Sequence, residues 1–292
     1  MANTIELAKK YIAMLDEVYK NASLTAKLDG APELAQQGAN ANELIVPMLD
    51  MQGLGDYDRN SGYASGNVTM TNETVKCNFD RGRMFTVDSM DNAETAGMAF
   101  GRLAGEFIRT KVVPELDAFR FASYCGKSGI TKKEETLNDG AAVLAALRVA
   151  ITAMDEAEVP LEDRHLFITP TLDGMIADLD TTKSREILGR FASKTLVPQT
   201  RFYTAIDQKD GHTGGQEAGG YTKASSGGAD LNFMVIHKPA LIQFEKHVAP
   251  KIVTPEQNQD ADAYKYGYRN VGIADVYKNK VKGVYASHKS AG

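Results

Sequence analysis

The sequence offers few residues with the types and spacing that nucleotide or metal chemistry needs. Gly126-Lys127-Ser128 matches the end of a phosphate-binding loop, but that motif needs a glycine five residues before Gly126, where Phe121 stands. The five histidines include no His-x-x-x-His pair of the kind that binds zinc on a helix. We therefore predict no catalytic residue, no cofactor and no metal site.

Composition narrows the class of protein. The chain is 43% hydrophobic and 24% charged, which is typical of soluble globular proteins. The N-terminus lacks the apolar run of a secretory signal, and no stretch approaches about 18 apolar residues. Cys77 and Cys125 lie far apart, so neither a zinc site nor a disulfide framework is indicated. We expect a protein that is made and used without crossing a membrane.

Length and charge set two further expectations. With 292 residues, the chain has room for about two domains at roughly 150 residues each. The formal net charge is −5 and there is no Lys/Arg-rich tail, which argues against sequence-specific nucleic-acid binding. Any contact with DNA is expected to be weak and non-specific.

The N-terminal segment is predicted to be a helix followed by a connector. Ile5, Ala8, Ile12, Leu15 and Tyr19 recur every three or four residues, which predicts an amphipathic helix over residues 4–20. This helix packs either on its own domain or on a neighbouring subunit. Residues 22–42 are rich in Ala, Gly, Gln and Asn and predict an extended connector.

Residues 43–88 are predicted to form one long two-stranded excursion. Short β-like pieces flank residues 53–66, a region rich in Gly, Asn, Ser and Asp that is typical of turns. The segment has too few large apolar residues for a core of its own, and an isolated hairpin is marginal in water. We therefore expect its partner surface to belong to another copy of the chain.

A long helix is predicted next, over about residues 92–124. Asp91 and Glu94 have the spacing of a capping box, and apolar residues follow on one helical face. Val112-Val113-Pro114 should kink or restart the helix, because proline lacks an amide donor. The break at residues 126–129 ends it.

The second half of the chain is predicted to be an α/β lobe followed by sheet. Asp139 is a candidate N-cap for a helix, residues 165–168 predict a buried strand, and Thr169-Pro170 should start another helix. Seven glycines within residues 207–228 predict a mobile loop. Residues 231–236, 241–248 and 264–285 predict strands that finish the fold.

Several motifs between residues 55 and 117 strongly resemble those of major capsid proteins from phages of Firmicutes. They are Gly55-Asp56-Tyr57-Asp58-Arg59, Ser61-Gly62-Tyr63, Gly66, Asp80-Arg81-Gly82-Arg83, Phe85, Val87-Asp88, Asp91, Glu94 and Val113-Pro114-Glu115-Leu116-Asp117-Ala118. The resemblance implies an α+β chain with the Johnson fold of tailed-phage shell subunits. That fold has an N-terminal arm, an E-loop hairpin, a long spine helix, a P-domain and an A-domain.

The resemblance also implies domain bounds and partners. The arm would be residues 1–42, the E-loop 43–88, the P-domain with the spine helix 89–138, the A-domain 139–230, and the closing P-domain return 231–292. Pentamers and hexamers of the chain would form an icosahedral virion head around double-stranded DNA, assembled in the host bacterial cytoplasm. The partners would include a portal protein. Because the sequence starts directly with the arm, we also expect a separate scaffolding protein.

Candidate intersubunit contacts cluster near the excursion. Exposed ion pairs at the expected turn around residues 80–88 contribute only about 0 to 1 kcal/mol each, but such contributions accumulate around a closed shell. Simple solvation of the turn is the alternative. The candidate residues are Asp56, Tyr57, Arg59, Tyr63, Asp80, Arg81, Arg83 and Glu94.

Two other functions stay open. An encapsulin-like compartment would use the same fold to enclose a cargo enzyme, and gene neighbours would distinguish it from a phage head. An α/β enzyme for a small molecule would use residues 207–228 as a lid, and a monomer with a bound ligand would favour it.

Overall fold

The computed structural model describes residues 23–30, 36–37, 43–60, 62–90, 98–179 and 181–290. The predicted helix over residues 4–20 and the capping box of Asp91 and Glu94 lie outside these ranges. In chain order the strands are β1 (Gln36–Gln37), β2 (Glu43–Met51), β3 (Val68–Lys76), β4 (Phe79–Asp88), β5 (Thr131–Glu134), β6 (Arg164–Ile168), β7 (Ser193–Leu196), β8 (Ile206–Gln208), β9 (Tyr221–Lys223), β10 (Leu231–His237), β11 (Leu241–Val253), β12 (Ala263–Val276) and β13 (Val284–His288). The α-helices are α1 (Met98–Phe107), α2 (Val113–Gly126), α3 (Gly140–Glu156), α4 (Pro170–Ala177) and α5 (Thr182–Leu188).

A long antiparallel hairpin of β2 and β3 leaves the body of the protein. Glu43 lies opposite Lys76 at its base and Met51 opposite Val68 near its far end. The short strand β1 pairs with the outer edge of β2, giving a three-stranded sheet. The prediction of a two-stranded excursion is thus confirmed for residues 43–76.

For the last ten residues of the predicted excursion the prediction is wrong. Strand β4 pairs along its whole length with β12, so that Phe79 lies opposite Gly272 and Asp88 opposite Ala263. Phe79 is buried, because its ring packs on Phe119 of α2. The chain therefore returns to its own body at residue 79.

The spine helix runs from α1 into α2 without a stop. A π-helical segment, Ile108–Val112, joins the two helices, and Pro114 lies in the first turn of α2. Because proline has no N–H and crowds the preceding turn, a local change from α to π bonding accommodates it. The predicted interruption at Val112-Val113-Pro114 is this π segment, and the helix neither ends nor restarts there.

A mixed five-stranded sheet with the order β5-β13-β10-β6-β7 carries most of the core. Side chains alternate between its faces: Leu166 and Ile168 pack with α3, α4 and α5, whereas Phe167 packs with α2. Asp139 caps α3 by accepting a hydrogen bond from the Ala142 amide at 2.7 Å, as predicted.

Residues 231–292, predicted to be the closing return to the P-domain, are divided between two sheets. Strands β10 and β13 lie in the five-stranded sheet beside β6, whereas β11 and β12 form a separate three-stranded sheet with β4. Seven consecutive buried residues make β10 a central strand. The polypeptide therefore leaves the five-stranded sheet after β10 and re-enters it at β13.

The glycine-rich segment 207–228 contains paired strands, although its composition predicted a loop without regular structure. Strands β8 and β9 pair within it as an antiparallel hairpin. Gly211, Gly215, Gly219 and Gly220 adopt positive φ angles in the connecting turns, a backbone region that other residues rarely enter. The glycines thus shape a defined structure, which we call the glycine-rich hairpin (residues 206–223).

Part of the predicted extended connector is docked on the protein's own body. Residues 23–30 include a short 3-10 turn, Ala26–Leu28, and Leu28 is buried in the same cluster as Phe121 and Phe167. Thr25 is buried as well. The connector therefore contains an anchored piece, which lies against α2.

Candidate interaction surfaces

The far end of the β2–β3 hairpin is an exposed surface with large apolar side chains. Residues 51–60 and 63–72, which we call the tongue, are all exposed. Its large apolar side chains are at least 61% exposed: Met51, Leu54, Tyr57, Tyr63, Val68 and Met70. A concentration of apolar side chains on one exposed element marks an interaction site, whereas single exposed apolar residues are ordinary.

The tip of the tongue is a closed turn. Asp58 and Gly62 exchange backbone hydrogen bonds of 3.2 and 2.8 Å, and Gly62 has a φ of +81°. The Tyr57 and Tyr63 rings meet edge to face with centroids 4.9 Å apart. Four of the predicted contact residues, Asp56, Tyr57, Arg59 and Tyr63, thus lie together and exposed at this tip.

The base of the hairpin is fixed to the body. Val75 is buried with Ile242 and Ile273. The Glu73 carboxylate is also buried and lies 3.7 Å from the ammonium groups of both Lys127 and Lys278. The hairpin is therefore anchored at its base, and no other residue that the structure describes covers its far end.

Arg81 and Arg83 lie along strand β4 and not around a turn, as the sequence had suggested. Arg81 Nη2 donates to the Lys209 carbonyl at 2.7 Å, and its Nε donates to Glu115 Oε1 at 2.8 Å. Arg83 Nη2 donates to the Glu217 carbonyl at 2.8 Å. Both guanidinium groups therefore hold the glycine-rich hairpin against β4 and α2.

The carboxylates near β4 have different surroundings. Asp80 forms a two-point ion pair with Arg269 of β12, at 2.8 and 2.6 Å. Asp88 accepts a hydrogen bond from the Met90 amide at 2.9 Å. Burial raises the pKa of Glu115, and the adjacent Arg81 guanidinium opposes that shift. Glu94, the remaining predicted contact residue, lies outside the described residues.

A cleft of about 1420 Å³ lies between β4, the spine helix and the glycine-rich hairpin. Phe79, Phe85, Leu103, Phe107 and Tyr268 form an apolar wall, and Arg83, Lys111 and His212 are among the polar residues around it. The sequence did not reveal this cleft, because its walls come from segments up to about 190 residues apart along the chain.

The described residues hold neither a metal-binding cluster nor a membrane-spanning helix. They contain no group of three or more His, Cys, Asp and Glu side chains that could hold a metal ion. Among the same residues, no helix has both the length and the apolar character to cross a membrane.

No protein-family model matches the sequence, and no curated protein does. Solved structures match over nearly the whole chain. A chain from Mycobacterium phage Che8 is 13% identical with a TM-score of 0.60, covering 91% of this chain and 90% of that one. The capsid of cyanophage P-SCSP1u is 12% identical with a TM-score of 0.57, and the match covers 88% of this chain and 86% of that one. A virus-like particle from Pyrococcus furiosus is 10% identical with a TM-score of 0.57, and the match covers 96% of this chain and 98% of that one.

These likenesses confirm the resemblance that the motifs between residues 55 and 117 had indicated. At 10 to 13% identity they show the fold. The chain has the α+β Johnson fold of phage capsid subunits.

Proposed function

We propose that this chain is a major capsid protein, which assembles as pentamers and hexamers into the icosahedral head of a tailed phage around double-stranded DNA. The observation that carries the proposal is the tongue. It exposes six large apolar side chains on a hairpin whose base is anchored to the body and whose far end is exposed within the described part of the chain. Such a surface is stable in water when a second molecule covers it.

The partner surface that we propose for the tongue is the cleft of a neighbouring copy. The cleft has an apolar wall for the tongue's apolar side chains. The tip presents the exposed acids Asp56 and Asp58, and the exposed cations Arg83 and Lys111 lie at the cleft. Asp56, Tyr57, Arg59 and Tyr63 would then make direct contacts, while Asp80, Arg81 and Arg83 shape the receiving surface.

Shortening the hairpin tests the proposal. Gln52 and Asn67 face each other, with the Asn67 amide donating to Gln52 Oε1 at 3.1 Å. Residues 53–66 can therefore be replaced by Asn-Gly, the sequence favoured for a two-residue hairpin turn. We expect a folded, soluble protein that forms no closed particles by negative-stain electron microscopy. Particles of normal size would contradict the role given to the tongue.

A matched pair of point variants separates the tongue from apolar exposure in general. Met70→Ser removes a side chain that is 67% exposed on the tongue, and Leu161→Ser removes one that is 60% exposed on the body. Both variants should melt close to the wild type. Only Met70→Ser should lower the particle yield.

The expected partners and bounds remain part of the proposal. A separate scaffolding protein and a portal protein would act with the shell, and the packaged DNA would touch it non-specifically. The arm would be residues 1–42 and the A-domain would centre on residues 139–230. Co-expression with the neighbouring genes, followed by electron microscopy, would show which of them particle formation needs.

An encapsulin-like compartment is the second candidate, and one observation favours it. The virus-like particle from Pyrococcus furiosus matches 96% of this chain and 98% of its own. Terminase and portal genes beside this gene would support a phage head, and a gene for a cargo enzyme would support a compartment.

The contacts of the glycine-rich segment argue against its use as the lid of an α/β enzyme, although it lines the cleft. The segment that such an enzyme would use as a lid is held by Arg81 and Arg83 through hydrogen bonds of 2.7 and 2.8 Å to its backbone.

A further inference from the structure

The fold brings together a cluster of basic side chains that are far apart in the sequence. Lys27 belongs to the anchored segment 23–30, His165 to β6, and His237 to the end of β10. Lys238 and Lys280 lie in the 3-10 turns that follow β10 and β12. The Lys238 ammonium donates to the Lys27 carbonyl at 2.9 Å, which joins the first turn to the anchored segment.

The three ammonium groups of this basic cluster have only neutral partners among the described residues. Lys27 Nζ donates to Ser193 Oγ at 2.7 Å and to Thr195 Oγ1. Lys238 binds a carbonyl oxygen, and so does Lys280, which donates to Pro239 at 3.2 Å. Lys223 differs, since its ammonium lies 3.2 Å from the Asp230 carboxylate. None of the three ammonium groups forms an ion pair with a described carboxylate, although Asp163 lies close enough to oppose their charge at both histidines.

The histidines report the same local field. Burial lowers the pKa of His165, and the nearby Lys27 and Lys238 lower it further against the opposing charge of Asp163. Burial, then Lys280 and Arg164, lower the pKa of His237. His165 Nδ1 lies 2.7 Å from Ser193 Oγ, while its Nε2 is buried without a hydrogen-bond partner among the described residues. The three ammonium groups thus have donor capacity left for a ligand.

We propose that Lys27, Lys238 and Lys280, together with the hydroxyl groups of Ser193 and Thr195, form a binding site for phosphate groups. Ammonium and hydroxyl groups are donors that suit phosphate oxygens, and lysine binds phosphate as a point charge. Inorganic phosphate and the backbone of a nucleic acid share this chemistry. Only the second source rests on the proposed function, because it needs DNA inside the shell.

Salt-dependent DNA binding tests the site. The full chain and its variants would be titrated against a short fluorescein-labelled DNA duplex, with fluorescence anisotropy recorded across a range of salt concentrations. Lys238→Gln with Lys280→Gln removes two charges and leaves Lys27, which anchors residues 23–30, in place. Each protein–phosphate contact adds about 0.9 to the slope of log affinity against log salt concentration. For each phosphate that the variant no longer binds, its affinity should therefore drop about 3.5-fold less than that of the wild type when the salt rises from about 50 to 200 mM.

The matched control is Lys223→Gln, which removes an ammonium group that already has a carboxylate partner. We expect its salt dependence to equal that of the wild type. Equal changes in the control and in the double variant would overturn the site. The site would also be overturned if the double variant bound DNA like the wild type but gave fewer particles. The lysines would then pair with carboxylates of another copy.

Titration with inorganic phosphate, followed by calorimetry, distinguishes the two sources. Binding of phosphate that the double variant loses supports the site with either ligand. A changed DNA slope without phosphate binding assigns the site to a nucleic-acid backbone, and no loss in either assay overturns it. Electron microscopy of each variant tests the phosphate site separately from the shell function. A smaller salt dependence of DNA binding with normal particles supports the site. Phosphate binding without particles contradicts only the shell function.

Discussion

Asp117 is the residue on which the anchored N-terminal segment depends. Its carboxylate is fully buried in α2. It accepts hydrogen bonds from Ser23 Oγ at 3.0 Å, the Leu24 amide at 3.1 Å and Thr25 Oγ1 at 2.6 Å, and it pairs with Arg201 at 3.4 Å. One side chain thus holds residues 23–25 against α2.

Asp117→Asn should therefore destabilise the subunit by about 3 kcal/mol, because the buried donors and Arg201 lose their charged acceptor. Urea denaturation of the unassembled protein measures this loss. Asp173→Asn is the control, since Asp173 pairs only with the partly exposed Lys194 and should cost a small fraction as much. Equal losses in the two variants would contradict the anchoring role.

At the scale of residues, composition located the tip but not the partners of the charged side chains. The Gly, Asn, Ser and Asp content of residues 53–66 placed Asp56 and Arg59 on an exposed turn, and the structure puts them there. Arg81 binds the backbone of Lys209, which is 128 residues away. No local pattern in a single sequence encodes a contact of that separation.

Two glycines show how element packing sets the effect of one substitution. A Cβ on Gly140, at the start of α3, would clash with the Met175 carbonyl of α4, whereas a Cβ on Gly174 would meet nothing within 4 Å. Gly140→Ala should therefore destabilise the protein. Gly174→Ala should stabilise it by about 0.5 to 1 kcal/mol, because alanine is the better helix former. The two denaturation midpoints should shift in opposite directions, and shifts of the same sign would contradict the close helix contact.

The glycine-rich hairpin should loosen when Arg81 is removed. Arg81→Ala deletes the bonds to Lys209 and Glu115, and charge-assisted bonds contribute about 1.5 to 3 kcal/mol each. Amide hydrogens of β8 and β9 should then exchange about tenfold faster or more, as mass spectrometry would show. Arg109→Ala, which removes only an exposed pair with Glu106, should leave that exchange unchanged. Unchanged exchange in Arg81→Ala would show that other contacts hold the hairpin.

At the scale of elements, capping residues and hydrophobic spacing predicted helices and strands better than amino-acid composition did. The cap at Asp139 and the strand at β6 follow from local chemistry, and both are confirmed. The spine helix continues through Pro114 because a π segment accommodates the ring, which sequence spacing does not reveal. The glycine-rich segment was mispredicted because positive φ angles serve ordered turns as well as mobile loops.

For the whole molecule, the proposed assembly predicts a change in protease sensitivity. Arg59 is exposed at the tip of the tongue, where exposed loop tips are cut first. Trypsin should cleave the free subunit after Arg59 and cleave assembled particles far more slowly. Mass spectrometry of timed digests identifies the cut, and Arg59→Gln provides the control that should lose it. Equal cleavage rates in both forms would show that the tongue stays uncovered after assembly.

The order of the strands was the part of the fold that the sequence concealed. The predicted strands at β10, β11 and β12 all exist, but their distribution between two sheets depends on pairings such as β4 with β12, about 180 residues apart. The basic cluster is hidden in the same way, because Lys27 and Lys238 are 211 residues apart.

The junction between β3 and β4 has a mechanical consequence. Only Cys77 and Asn78 separate the two strands. The side-chain amide of Asn78 donates to the Ala274 carbonyl at 2.7 Å and accepts from the Ala274 N–H at 3.0 Å. A pull on the tip along the hairpin is therefore borne in shear by the whole β4–β12 ladder and reaches the spine helix through the Phe79–Phe119 contact. The tongue thus acts as a lever whose base is held at Glu73, Val75 and Asn78.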